Sequence, residues 1–187
     1  MSAILRTALL ATALATTGAA QAASYGFIFP SATSTVVASV GTSGDQTGWF
    51  WSVERGDKIS HTYASTGLFN ASALELDLNV SYNSLSDTPV NWDVLVNGVD
   101  VGDWSWSSTD GTGLTHLTFT FDAIAGEFNS LALVVKNEVP SGAGSIALGL
   151  HTQGMVTSVP ETGSFALTAM GLVCIAAFAR RRNVSQA

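Results

Sequence analysis

Between residues 74 and 82 hydrophobic and polar side chains alternate without a break. Leu74, Leu76, Leu78, Val80 and Tyr82 are separated by Glu75, Asp77, Asn79 and Ser81. A period of two predicts a strand with one buried face, because successive side chains of a strand point to opposite sides of the sheet. Val90, Trp92, Val94 and Val96 repeat the pattern, as do Leu117, Phe119 and Phe121, then Leu131, Leu133 and Val135, then Ile146, Leu148 and Leu150. Further strands are predicted over 25–29, 35–40, 49–53 and 59–64. Turn residues fall between these runs: Gly41 to Asp45, Asp87-Thr88-Pro89, Asp110 to Gly113 and Pro140-Ser141-Gly142. Many short alternating strands with close turns predict an all-β fold, an antiparallel β-sandwich of jelly-roll-like type, with a closed barrel as the lesser option.

Asn97-Gly98 fixes one register. An Asn-Gly pair between two strands favours a two-residue type I′ hairpin. Val96 then faces Val99, Leu95 faces Asp100 and Val94 faces Val101, with the four valines on one face. Under strict alternation Trp104 and Trp106 lie on the opposite, outer face; a bulge near Gly102 would instead turn them inward. Two exposed indoles make a flat apolar platform for sugar rings, oriented by neighbouring polar groups such as Asn91 and Asp93. Asp100 and Asp103 are candidate ligands for Ca²⁺, which prefers several oxygen donors. The other reading places both indoles in the core.

The ends of the chain follow a different logic. Arg6 precedes an uncharged, mostly apolar stretch, Thr7 to Thr17, and Ala20-Gln21-Ala22 is an A-x-A cleavage site. Residues 1–22 therefore read as a secretory signal peptide. At the other end Gly163 to Ala179 is an uncharged run of 17 residues, followed at once by Arg180-Arg181-Arg182. As a helix it spans about 25 Å, at the short limit of the ~17–25 residues that cross a bilayer. Arginines stay on the cytoplasmic side, which places the preceding chain outside. The expected organisation is a signal peptide (1–22), a β-sandwich domain (23–158) and a tail (159–187) made of a motif (159–162), a membrane helix (163–179) and a basic stop (180–182).

Val159-Pro160-Glu161-Thr162-Gly163-Ser164, the apolar run and the arginine triplet together resemble the PEP-CTERM sorting tail of Gram-negative bacteria. Pro160 and Glu161 match the motif, while Thr162 stands where the family has its second proline. The resemblance covers 159–187. It implies export, transient membrane anchoring, processing by an exosortase as partner, and a place at the cell surface or in the extracellular biofilm matrix, in contact with exopolysaccharide. Val159 to Gly163 is also similar to the Leu-Pro-x-Thr-Gly signal of Gram-positive sortases, which implies a cell-wall anchor instead.

Charge sharpens the picture of the middle. Residues 23–158 hold Arg55, Lys58 and Lys136 against all the acidic residues except Glu161, a balance of −10. Such a surface repels nucleic-acid phosphates, so no nucleic-acid partner is expected. With 47% hydrophobic residues the chain can build a core and is not a disordered one. Its single cysteine rules out an internal disulfide framework. No nucleophile elbow, zinc-binding His-Glu-x-x-His or phosphate loop is present, and His61, His116 and His151 fall on different strands. The expected role is non-enzymatic, structural or adhesive, without a cofactor unless Ca²⁺ is bound; the alternatives are a carbohydrate-binding module and a glycan-active enzyme.

Overall fold

The computed structural model describes residues 22–31, 33–37, 44–45, 49–52, 54–86, 88–140, 144–149, 152–159, 171 and 175, for the backbone alone at 44–45 and 49–52. The expected signal peptide up to residue 21, Pro160 to Thr162 of the sorting motif, and Arg180 to Arg182 fall outside the described residues. So does the expected membrane helix apart from Gly171 and Ile175, both in helical conformation. No helix among the described residues is long and apolar enough to cross a membrane. Ala23–Ser158 form one compact unit, and both sheets lie within it.

Among the described residues there are twelve strands: β1 (Ser24–Ile28), β2 (Thr35–Val37), β3 (Gly44–Asp45), β4 (Trp49–Ser52), β5 (Lys58–Thr62), β6 (Phe69–Asn83), β7 (Val90–Val96), β8 (Val99–Trp106), β9 (Gly113–Glu127), β10 (Ser130–Val135), β11 (Ile146–Gly149) and β12 (Gln153–Ser158). They form two antiparallel sheets. In the first, β6 pairs along one edge with β9, and along the other with β12 and β11 in succession; β1 then adds to β12 and β4 to β11. The second runs β3-β2-β5-β10-β7-β8. Consecutive strands stay in one sheet only at β2–β3, β7–β8 and β11–β12 and change sheet at every other connection, so the antiparallel sandwich expected from the alternation is the observed architecture.

The alternation of β6 decides the core. Leu74, Leu76, Leu78 and Val80 are all fully buried, within one cluster that includes Ile59, Trp92, Val94, Leu131, Leu133 and Ile146. Each such side chain contributes about 1.5–3 kcal/mol by leaving water. Near one end, Tyr25, Phe27, Tyr63 and Phe128 pack as an aromatic group, with Phe27 and Tyr63 centroids 5.0 Å apart. The Tyr63 hydroxyl donates to the Ile28 carbonyl at 3.2 Å, and burial raises the Tyr63 phenol pKa above its ordinary value.

The Asn97-Gly98 hairpin forms, with φ of +51° and +78° as a type I′ turn requires. Val96 faces Val99 and Leu95 faces Asp100, but Val94 faces Gly102 rather than Val101. Val101 is the extra residue of a bulge, and everything after it shifts by one. Val99 also departs from the expected core face: it is 47% exposed, at the start of an edge strand that has a neighbour on one side only. Gly102 sits at φ +152°, and a Cβ there would lie 2.6 Å from Cδ1 of Phe119 on β9. Gly102→Ala is therefore expected to lower stability by about 1–3 kcal/mol, read as a reduced denaturation midpoint with an unchanged m-value. An unchanged midpoint would show that the two edge strands can separate without cost.

Candidate functional site

The bulge decides the fate of the paired tryptophans. Trp104 comes to lie opposite Trp92 and Trp106 opposite Val90, both inward-pointing partners on β7. The Trp104 ring stacks on Trp92 at 4.3 Å and an interplanar angle of 19°, and only 5% of Trp104 remains exposed. Trp106 is half-buried, 5.6 Å from Trp104, and its indole N–H donates to the Gly111 carbonyl at 3.1 Å. The expected two-indole platform is thereby corrected: Trp104 is a core residue, and sugar rings cannot reach its faces. Asn91 is half-buried and acts through its backbone, its N–H donating to Asn137 and its carbonyl accepting from Lys136 N at 2.9 Å.

That last contact sets Lys136 beside the acidic residues. Asp93 and Asp103 face each other across β7 and β8, a like-charge pair that is unfavourable by itself. The Lys136 ammonium lies 3.0 Å from Asp93 and 2.5 Å from Asp103, and offsets the repulsion. Its hydrogen bond holds the Asp103 carboxyl below the ordinary carboxylate range; the same bonds push Lys136 up. Carboxylate oxygens of Asp93, Asp100 and Asp103 come within 4.8 Å of one another, a spacing that suits a divalent cation. An ammonium already pairs with two of the three, however, and Asp100 is engaged as acceptor from Gly102 N–H at 3.0 Å. Ca²⁺, which takes 6–8 oxygens, would have to displace Lys136. The sequence pattern showed Asp100 and Asp103 but not Lys136, whose place depends on β10 pairing with β7.

A different site lies on the outer face of the first sheet. One row crosses four strands, with Gly26 facing Met155, Met155 facing Glu75 and Glu75 facing Thr118. In the next row Ile28 faces Gln153 and Asp77 faces His116. Gly26 has no side chain to stand up from β1, and the surface sinks into an open depression of about 320 Å³ lined by Gly26, Met155, Glu75, Asp77, His116 and Gln153. A second of about 440 Å³ continues past His116 to Leu114, which is 78% exposed. Gly26 and Met155 line the first together with the polar Glu75, Asp77, His116 and Gln153. His116 Nδ1 lies 2.7 Å from Asp77 Oδ1, and its Nε2 lies 3.3 Å from the Thr118 hydroxyl. This chain of contacts fixes the imidazole plane at the groove edge while both side chains of the Asp77–His116 pair stay about half exposed.

No family model and no curated protein matches this chain. Among solved structures, it is similar to a family 36 carbohydrate-binding module of a multidomain xylanase from the hindgut metagenome of Trinervitermes trinervoides, at 13% identity and a TM-score of 0.42, covering 72% of this chain and 96% of that one. A family 36 module in complex with calcium and xylotriose aligns at 13% identity and 0.39, covering 74% and 99%. A family 35 module from Clostridium thermocellum aligns at 11% and 0.37, covering 73% and 98%. With TM-scores below 0.5, these likenesses assign no residue and no ligand to this chain.

Two measurements check the geometry of the β7–β8 corner. Trp104→Ala should cost about 3–5 kcal/mol of stability, seen as a large fall in denaturation midpoint; a native-like midpoint would mean that the indole is not in the core. In a carboxyl-carbon NMR titration Asp103 should titrate below an unpaired aspartate, and Lys136→Met should move that midpoint upward. Because the folded value is the lowered one, this contribution is present above the ordinary aspartate value of about 3.9 and is lost as pH falls through the Asp103 midpoint. As a solvent-exposed pair it shifts stability little.

Proposed function

We propose that this protein is an exported, non-catalytic component of an extracellular polysaccharide matrix, and that its sandwich binds saccharide along the groove over β6. The tail from Val159 onward holds it at the membrane until an exosortase-type enzyme processes it. The observation that carries the binding role is the groove itself: an open depression crossing four strands, lined by Gly26 and Met155 together with Glu75, Asp77, Gln153 and His116. A pyranose ring has apolar C–H faces and a rim of hydroxyls, so it matches Met155 and Gly26 set among donors and acceptors.

The geometry favours binding over catalysis. Glycoside hydrolysis needs two carboxyl groups flanking the scissile bond. Glu75 and Asp77 instead project in parallel from alternate positions of one strand, so both meet a ligand from the same side. Export agrees with the acidic, soluble character of 23–158. A signal cut after Ala22 would leave β1 whole, since that strand begins at Ser24.

Gly26 offers the cleanest test. A Cβ built there has no neighbour closer than 4.0 Å, so a larger side chain fits sterically while filling the depression. Gly26→Leu is expected to keep the wild-type denaturation midpoint and to lose retardation in affinity gels containing matrix polysaccharide. Undiminished retardation would remove the groove from the binding surface. Mass spectrometry of the protein isolated from its host should show a chain starting at Ala23 and lacking Arg180 to Arg182; a cytoplasmic species retaining both ends would overturn the export reading.

A further inference from the structure

Resting on the groove reading, we infer that the groove selects polysaccharides carrying free amino sugars, the cationic hexosamine units of a partly deacetylated polymer. Glu75 and Asp77 lie two residues apart on the outer face of β6, and both line the depression. Asp77 is engaged by His116 at 2.7 Å. Glu75 is exposed, and among the described residues no cationic side chain lies within ion-pair distance of it. Of the domain's cations, Lys136 is held by Asp93 and Asp103, and Lys58 lies on β5 of the other sheet.

An ionised carboxylate accepts hydrogen bonds and donates none. A sugar hydroxyl can satisfy it, but a hexosamine ammonium brings three donors and a full opposite charge. With an ammonium both partners of the hydrogen bond are charged, which shortens and strengthens it relative to a hydroxyl donor, and the expected gain is about tenfold in affinity. A uronic acid or sulfated polymer would instead bring its charge against Glu75, Asp77 and a domain balance of −10.

A basic peptide shares the charge but fits less well. Extended peptides bind sheets by adding to an open edge through backbone hydrogen bonds. This groove crosses the face of β1, β12, β6 and β9, where the ladders already pair those strands. Recognition there runs through side chains alone, over about 14 Å for three strand spacings, which suits a ligand with many groups on a rigid ring.

The test is calorimetric titration of the full-length protein in neutral detergent, at mildly acidic pH, with chitooligosaccharides in fully deacetylated and fully N-acetylated form, a neutral β-glucan oligosaccharide, and oligolysine. The deacetylated sugar should bind about tenfold more tightly than the acetylated one, and more weakly as salt rises. Glu75→Gln should abolish that preference, bringing the deacetylated and acetylated sugars to equal affinity, and Gly26→Leu should remove binding of both. Equal binding of all three sugars, unchanged by Glu75→Gln, overturns the amino-sugar preference and leaves the groove reading standing. Tighter binding of oligolysine than of any sugar overturns the preference in favour of a peptide ligand. Failure of every sugar to bind overturns the groove reading as well.

Discussion

The structure depends on a single geometric constraint, the period-two alternation of β6 held in register from both sides. A one-residue slip of a strand moves every side chain to the other face. For β6 such a slip would put Glu75 and Asp77 into the core and Leu74, Leu76 and Leu78 into water. Pairing with β9 through ten registered positions from Phe69 to Val80, and with β12 and β11 along the opposite edge, makes that slip prohibitive. The same constraint that builds the core on one face therefore fixes the spacing of the two carboxylates on the other.

Alternation was legible in the sequence wherever one face of a strand is buried and the other wet. It identified the central parts of β6, β7, β9 and β10, and the Asn97-Gly98 turn identified the β7–β8 hairpin. It understated β6 and β9, which run to Phe69 and Glu127, because their outer ends carry bulges and small residues. Past Leu95 the register could not be read, since a bulge and a regular ladder are both compatible with Val-Gly-Asp-Trp. The deciding contact is non-local: Gly102 on β8 lies against Phe119 on β9. Only glycine tolerates that approach at φ +152°, and the resulting shift carries Trp104 onto Trp92.

The candidate groove was less legible than the fold, for a related reason. Glu75 and Asp77 were visible as the polar half of an alternating strand, with nothing to mark them apart from any solvated face. Their partners come from β1, β9 and β12, far away in sequence. β12 was itself missed, because Gly154 interrupts its alternation; a Cβ there would meet the Phe27 ring at 2.4 Å, so the packing of the core requires the glycine. Conversely, the aspartates around Asp100 were visible as a cluster, while the lysine that pairs with Asp93 and Asp103 was not. Composition and periodicity thus find faces, and only the pairing of distant strands turns a face into a site.

The ends of the domain bring these parts together. Ser158 N–H donates to the Ala23 carbonyl at 2.9 Å, and Ala23 N lies 3.3 Å from the Ser158 hydroxyl, so the first and last residues of the sandwich close the same corner of the sheet. From that corner β1 and β12 run antiparallel to the groove, where Gly26 faces Met155, about 10 Å away at the rise of a strand. Were the protein tethered through Val159 and bound to a polymer over Met155, as proposed, tension between tail and ligand would pass along β12. That strand is short, but it is hydrogen-bonded on both sides, to β1 and to β6. Pulling along it shears two ladders together rather than peeling one bond at a time. On the proposed reading, the pairing that sets the chemistry of the groove would also resist that load.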